Sequence, residues 1–222
     1  MAKAPAGAAA VRLWDWPTRL IHWSFVLLIP AMWWTGKHDN ITLHETLGYA
    51  LIGLLVFRIL WGFAGASTAR FAGFVRGPRA IFRYLFSRSA EPVVGHNPIG
   101  GWSVLVLLGL MIGAVSTGLI TQDVDGIESG PLSHYFSYET ADAARHWHGL
   151  IFNLLLVMIA VHLVAILFYL VVKRDNLVGP MVTGRKRLAG APEIAFAPLW
   201  RLAVIAAMAA GFALWIARGA PL

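Results

Sequence analysis

The stretch RHWHGLIFNLLLVMIAVHLVAILFYLVV, residues 145–172, combines a long apolar run with two histidines, His148 and His162. About 20 apolar residues cross the hydrocarbon core of a bilayer, so this run predicts a membrane-spanning helix. The two histidines are fourteen residues apart, which separates them by about 21 Å along a helix axis and leaves them within roughly 40° of one face. One imidazole is therefore predicted near each edge of the membrane, and both face the same neighbouring helices. Ionisable groups at such depths are costly and usually functional.

The composition of the whole chain agrees with this prediction. Of the 222 residues, 58% are hydrophobic and only 13% are charged, which is far from the average of soluble domains. The formal net charge is +7, but the charges are confined to short connecting stretches, so we do not predict a nucleic-acid-binding protein. Cysteine is absent, which excludes disulfides, iron–sulfur clusters, thiolate zinc sites and a covalent cofactor attachment through Cys-x-x-Cys-His.

Five segments reach spanning length, and they predict an all-α bundle in the membrane. The segments are residues 20–35, 46–64, 102–120, 147–172 and 199–216. The first contains Pro30, which predicts a kink, and no small-residue cleavage site follows it, so we expect a retained span. Residues 1–187 are predicted to form a four-helix core, and residues 188–222 add a fifth C-terminal transmembrane helix.

The basic residues predict the orientation of these spans, because cytoplasmic loops carry the excess of Lys and Arg. Fifteen of the 18 Lys and Arg precede the first span, lie at the end of the second or after it, or lie between the fourth and the fifth. The other side has only Lys37, Arg145 and Arg218, together with most of the acidic residues. We therefore predict a cytoplasmic N-terminus and a C-terminus on the outer side. Trp residues fall at both predicted interfaces, as an aromatic belt requires.

This orientation gives each histidine a depth, and four histidines form two pairs at matching depths. His22 and His162 fall near the cytoplasmic side, and His44 and His148 fall near the outer side. Two neutral imidazoles on opposite faces of a porphyrin make a six-coordinate iron, which is suited to electron transfer rather than oxygen binding. The pattern therefore predicts one haem at each side of the membrane, both anchored on the fourth span.

Other interpretations of buried histidines fit the sequence less well. A lone histidine is more often a polar residue hydrogen-bonded between helices, but four at two matched depths favour ligands. A proton relay or metal transporter usually adds Asp or Glu within the membrane, and the predicted spans contain neither. A zinc site needs three or four ligands at one point, whereas these histidines form two pairs about 21 Å apart. His146 faces about 160° away from His162 and is the second choice for the outer haem.

Cationic partners for the haem propionates are expected at the two membrane interfaces. The candidates near the cytoplasmic haem are Arg12, Arg19 and Arg58, and the candidate near the outer haem is Arg145. The basic and aromatic segment 67–95 predicts an amphipathic stretch on the cytoplasmic leaflet, so membrane lipid is an expected partner there.

Seven short motifs are distributed along residues 11–187. They are VRLWDWPTRLIHW at 11–23, HETLGY at 44–49, RILWGF at 58–63, GHNPIGG at 95–101, HGLIFN at 148–153 with His162, NLV at 176–178 and MVTG at 181–184. As a set they resemble the prokaryotic cytochrome b561 family, which includes the b-type cytochrome subunits of nickel–iron hydrogenases. No single motif would suffice for this resemblance.

The resemblance implies a four-helix core with two non-covalent b haems in a bacterial cytoplasmic membrane. The family's ligands fall on His22 and His162 for the inner haem and on His44 and His148 for the outer one, the pairing that depth and rotation also predict. The resemblance further implies electron transfer between quinone or quinol and a periplasmic or peripheral redox partner, such as a c-type cytochrome. The acidic segment 122–142 suits a basic patch on that partner. Self-association is left open.

Two other functions remain open at this stage. Some relatives are superoxide oxidases that pass the electron to quinone, and these would favour a positively charged outer face, whereas the outer face here is acidic. A haem-containing anchor subunit of a larger oxidoreductase, such as a hydrogenase, is the other alternative. The sequence shows no quinone site, so it does not decide whether the chain is an enzyme in its own right.

Overall fold

The computed structural model of the chain describes residues 8–86, 95–123, 125, 128–189 and 192–221. Lys3 and Arg88, two of the basic residues that predict the orientation, lie outside the described residues. The elements in chain order are β1 (Ala8–Arg12), α1 (Trp16–Lys37), α2 (Ile41–Ala64), α3 (Phe71–Phe74), α4 (Pro78–Phe86), α5 (Pro98–Gly118), α6 (Tyr138–Val171), α7 (Val178–Thr183), β2 (Arg185–Ala189) and α8 (Leu199–Ala217).

The long helices confirm the predicted helical membrane bundle, with one difference in the number of spans. Four helices of the described part, α2, α5, α6 and α8, are long and apolar enough to cross a membrane. The helix α1 has 22 residues, but it does not belong to this set, because its polar residues, among them Arg19, His22 and Lys37, lower its mean hydropathy. It continues through Pro30 as one helix.

Local capping interactions set the ends of the helices. Asp15 Oδ1 accepts a hydrogen bond from the Thr18 amide at 3.0 Å, and Asn97 Oδ1 accepts one from the Gly100 amide at 2.7 Å, so α1 and α5 begin directly after these residues. Ser137 caps α6 in the same way. Because of that cap, α6 begins nine residues before the predicted span, and its 34 residues extend over about 51 Å, which exceeds the hydrocarbon core.

A two-stranded ribbon, which the sequence did not predict, pairs the segment before α1 with the segment after α7 at one end of the bundle. The strands β1 and β2 pair antiparallel, with Ala8 opposite Ala189. Their Ala and Lys residues have low strand propensity. After α6 the chain has therefore returned to the end of the bundle where it began. We call this the strand end.

The opposite end of the bundle is called the loop end. There the segment 119–137 connects α5 to α6, and its Tyr135 hydroxyl donates to the carbonyl oxygen of Ala220 at 3.1 Å. The segment also folds back on α5, since the Leu132 amide donates to the carbonyl oxygen of Leu119 at 2.9 Å.

The helices pack as α1 against α2, α5 against α6, and α8 against α2. The contact with α8 is close, because a Cβ on Gly53 would lie 3.5 Å from the side chain of Ala213. A buried cluster halfway along the bundle joins α2, α5 and α6, and consists of Leu51, Leu55, Leu108, Met111 and Leu155.

Candidate functional site: two histidine pairs at opposite ends of the bundle

At the loop end, α2 and α6 bring the side chains of His44 and His148 close together. Their ring centroids are 6.2 Å apart, and the ring planes are inclined by 80°. Two metal–imidazole bonds of about 2.0 Å each, added to the half-widths of two rings, give a centroid separation of about 6 Å. The two rings therefore have the spacing of two ligands of one metal atom.

The hydrogen bonds of this pair fix which ring nitrogen is free. His44 Nδ1 lies 3.0 Å from the carbonyl oxygen of Met32, and His148 Nδ1 lies 2.7 Å from the carbonyl oxygen of Ala114. A carbonyl oxygen only accepts, so the neutral imidazole that forms this contact carries its hydrogen on Nδ1 and keeps the lone pair on Nε2. The Thr35 hydroxyl, 3.2 Å from His44 Nδ1, itself donates to the Met32 carbonyl oxygen. Histidines that bind metals usually have this second contact, which holds the ring in place.

Two glycines make room for the rings at the loop end. A Cβ on Gly118 of α5 would lie 3.0 Å from His148 Nδ1, and a Cβ on Gly36 of α1 would lie 3.4 Å from His44 Nδ1. A side chain at either position would therefore press on an imidazole.

At the strand end, His22 of α1 and His162 of α6 lie near a third histidine. His96 precedes α5, and burial lowers its pKa to about 4, with the positive charge of Arg58 adding to the effect. Its ring packs between Trp14, at 4.8 Å, and Phe74, at 4.6 Å. In the sequence, His96 belongs to the GHNPIGG motif before the third predicted span and is not among the predicted ligands. The structure places it in the turn before α5 and beside the strand-end pair.

Several nitrogen atoms at the strand end are enclosed without a hydrogen-bond partner among the described residues. They are His22 Nδ1, His96 Nδ1, Arg58 Nη1 and Arg19 Nε. The Arg58 side chain is only 7% exposed and lies 5.0 Å from the centre of the Phe71 ring. An enclosed guanidinium hydrogen without an acceptor is costly, so this end is suited to an anionic group.

The other predicted cationic residues have partners within the chain. Arg12 lies in β1, and its guanidinium is 4.7 Å from the centre of the Phe196 ring. Arg19 donates through Nη1 to the carbonyl oxygen of Val182. Arg145 is exposed at the loop end and forms an ion pair with Asp142 at 2.7 Å.

The cluster around Leu155 separates the two histidine pairs. Leu155 is seven residues from both His148 and His162, so it lies about 10.5 Å from each along α6. It is 3% exposed, and Met111 is 5% exposed. An apolar layer therefore lies between the two pairs.

The remaining histidines contact their own neighbours at the surface. His38 stacks on Trp34 at 4.6 Å, and His146 and His134 are exposed. No group of three or more His, Asp or Glu side chains in the described ranges is arranged to hold a metal ion.

A family comparison bears on this arrangement. Residues 13–184 match the model of the prokaryotic cytochrome b561 family, which is well over half of the chain. The chain belongs to the prokaryotic cytochrome b561 family. Neither the curated proteins nor the solved structures give a significant match. The match ends before α8.

Membership in the cytochrome b561 family establishes the general class of the protein. It is a membrane b-type cytochrome with haem and takes part in electron transfer. The residues present fit the group that a cytochrome b561 carries. Imidazoles whose Nδ1 is engaged and whose Nε2 is free are the axial donors of b-type haem iron. An enclosed guanidinium whose Nη1 has no hydrogen-bond partner among the described residues suits a propionate.

Proposed function

We propose that the chain is a transmembrane di-haem b-type cytochrome that transfers electrons between the quinone pool and a periplasmic or peripheral redox partner, such as a c-type cytochrome. His44 and His148 hold one haem, and His22 and His162 hold the other. The observation that carries the proposal is the 6.2 Å separation of the His44 and His148 rings, with both Nδ1 atoms on backbone carbonyls.

Each bound haem supplies one-electron chemistry at its iron. The residues of the chain bind it, orient it and control access to it. With both histidines of a pair as its ligands, the group would be suited to electron transfer rather than to oxygen binding. Arg58 and Arg19 provide positive charge for propionates at the strand end, while the layer around Leu155 excludes water between the two pairs. Because α6 carries a ligand of each pair, it fixes their separation.

The charges at the loop end favour a basic partner over superoxide as the electron donor or acceptor. With the strand end cytoplasmic, as the basic residues predict, the loop end is periplasmic. The acidic residues on or near this end are Asp39, Glu45, Asp123, Asp125, Glu128, Glu139 and Asp142. A negative face attracts a positively charged redox protein and repels the superoxide anion.

Spectroscopy and haem analysis of the purified protein test this proposal. A reduced-minus-oxidised spectrum should show a b-type cytochrome with two haems per chain, and a quinol analogue should reduce it. A colourless protein would contradict the proposal. Two haems that no quinol reduces would instead indicate an anchor subunit. Electron exchange with a basic c-type cytochrome should slow as the salt concentration rises.

A further inference from the structure

The two histidine pairs differ in the contacts of their Nδ1 atoms. At the loop end, Nδ1 of His44 lies 3.0 Å from the Met32 carbonyl oxygen, and Nδ1 of His148 lies 2.7 Å from the Ala114 carbonyl oxygen. At the strand end, Nδ1 of His22 is enclosed, and no residue in the described part of the chain forms a hydrogen bond with it.

This difference changes how strongly the ligands donate electron density to iron. An imidazole that donates its Nδ1 hydrogen to an acceptor is a more basic ligand through Nε2. More basic ligands stabilise the oxidised iron, and such hydrogen bonds are among the means by which a protein sets a haem potential. The loop-end pair has two of these bonds, so its iron is expected to have the lower potential.

The charges at the strand end favour the reduced iron there. The buried Arg58 guanidinium, whose Nη1 has no hydrogen-bond partner among the described residues, lies close enough to His96 to affect its protonation. A nearby cation favours the iron state with one less positive charge. Asp15 also lies near Arg58 and offsets part of this effect. Its carboxylate is already engaged by hydrogen bonds from the Thr18 amide and the Trp61 indole.

The charges at the loop end act in the opposite direction. Glu45 directly follows His44 in α2, and Glu128 lies close enough to interact with Glu45 electrostatically. Carboxylates near a haem favour its oxidised iron. Arg145 contributes little positive charge here, because it is exposed and paired with Asp142.

We propose that the strand-end haem has the higher reduction midpoint potential, so that electrons run from the loop end to the strand end. The inference rests on the proposed function, since it requires one haem on each histidine pair. One electron leaves the loop-end iron, which becomes ferric, and enters the strand-end iron, which becomes ferrous. No bond or proton changes place. The redox partner at the loop end is then the electron donor.

A potentiometric titration of the purified holoprotein in lipid nanodiscs, followed by its visible absorbance, tests this order. The wild-type protein should titrate in two steps. Arg58→Gln should shift the higher step to lower potential and leave the lower step in place. Arg58→Lys, which keeps the positive charge, should keep the higher step near its wild-type potential. Arg79→Gln is the matched control, because Arg79 is an exposed cation of α4 at the same end, and it should move neither step.

Two further variants assign the steps independently of Arg58. His148→Ala should retain the step of higher potential, and Glu45→Gln should raise only the lower step. The inference is overturned if His148→Ala removes the higher step, or if Glu45→Gln raises that step instead. It is equally overturned if Arg58→Gln moves the lower step. A wild-type protein with fewer than two haems would defeat the proposed function, whereas two haems in the reverse order would defeat this inference alone.

Discussion

The loop-end and strand-end histidine pairs are prepared for a cofactor to different degrees. At the loop end, backbone carbonyls and two glycines position His44 and His148 within the protein alone. At the strand end, enclosed nitrogen atoms of Arg19 and Arg58 have no hydrogen-bond partner in the described part of the chain. One end is thus preorganised, whereas the other contains polar atoms that only an additional group would satisfy. We expect haem to stabilise the strand end more than the loop end.

The largest expected effect comes from removing one ligand at each end. His148→Ala and His162→Ala should each reduce the haem content from two to one per chain, and the measurement is a pyridine haem assay. His162→Ala should also unfold at the lower temperature, because each buried group left unsatisfied costs about 1–3 kcal/mol.

The matched control for these variants is His146→Ala, since His146 lies on the same helix but is exposed. It should retain both haems. Equal losses of thermal stability in the two ligand variants would contradict the difference between the ends.

The next effect is a pH dependence of the free energy of unfolding, which we expect to come from His96 at the strand end. Burial holds the pKa of His96 at about 4, below its unfolded value of about 6.5. The unfolded chain therefore binds more protons between these values, and stability falls as the pH decreases from 6.5 towards 4. The free energy lost is at most about 3 kcal/mol.

Thermal unfolding in detergent at pH 7, 6 and 5 checks this expectation. His96→Asn removes the titrating group, so its melting temperature should decrease less than that of the wild-type protein over this range. A variant with the same decrease would exclude His96 as the source.

A smaller effect is expected at the glycines of the loop end. The Cβ of Gly118→Ala would lie 3.0 Å from the His148 ring, and that of Gly36→Ala would lie 3.4 Å from the His44 ring. Overpacking of this kind costs about 1–3 kcal/mol, so Gly118→Ala should destabilise the protein and disturb the loop-end haem spectrum more than Gly36→Ala. Gly109→Ala is the control, since its Cβ would meet no atom within 4 Å.

The smallest effect is expected for Arg145. Both side chains of the Arg145–Asp142 ion pair are about half exposed, and such pairs contribute little to stability. Arg145→Gln should leave the melting temperature and the haem content unchanged. A loss of the loop-end haem in this variant would show that Arg145 binds a propionate, as the sequence suggested.

The sequence predicted the helices and the proximity of the histidines because both depend on regular periodicity. Apolar runs mark the long helices, and the 3.6-residue repeat places His148 and His162 on one face of α6. His148 and His44 were paired because both were predicted at the same depth in the membrane. The role of these residues as haem ligands stays a prediction. The family membership and the membrane bundle, by contrast, are confirmed.

The parts that sequence reasoning missed depend on contacts between distant residues. The pairing of β1 with β2 joins segments that lack strand propensity. The early start of α6 depends on the single cap at Ser137. His96 lies beside the strand-end pair only because the turn before α5 packs there, between Trp14 and Phe74. The GHNPIGG motif was the one signal in the sequence that could have indicated it.

The apolar layer around Leu155 has a consequence for the energetics of the cell. An electron that passes this dry layer moves without an accompanying ion, so it performs work against the voltage across the membrane. Moving one charge through the whole membrane costs about 2.3 kcal/mol per 100 mV. The two pairs span about 21 Å of a core of about 30 Å, so each transfer would carry about 1.6 kcal/mol per 100 mV. The rate and direction of transfer should therefore respond to the energised state of the membrane.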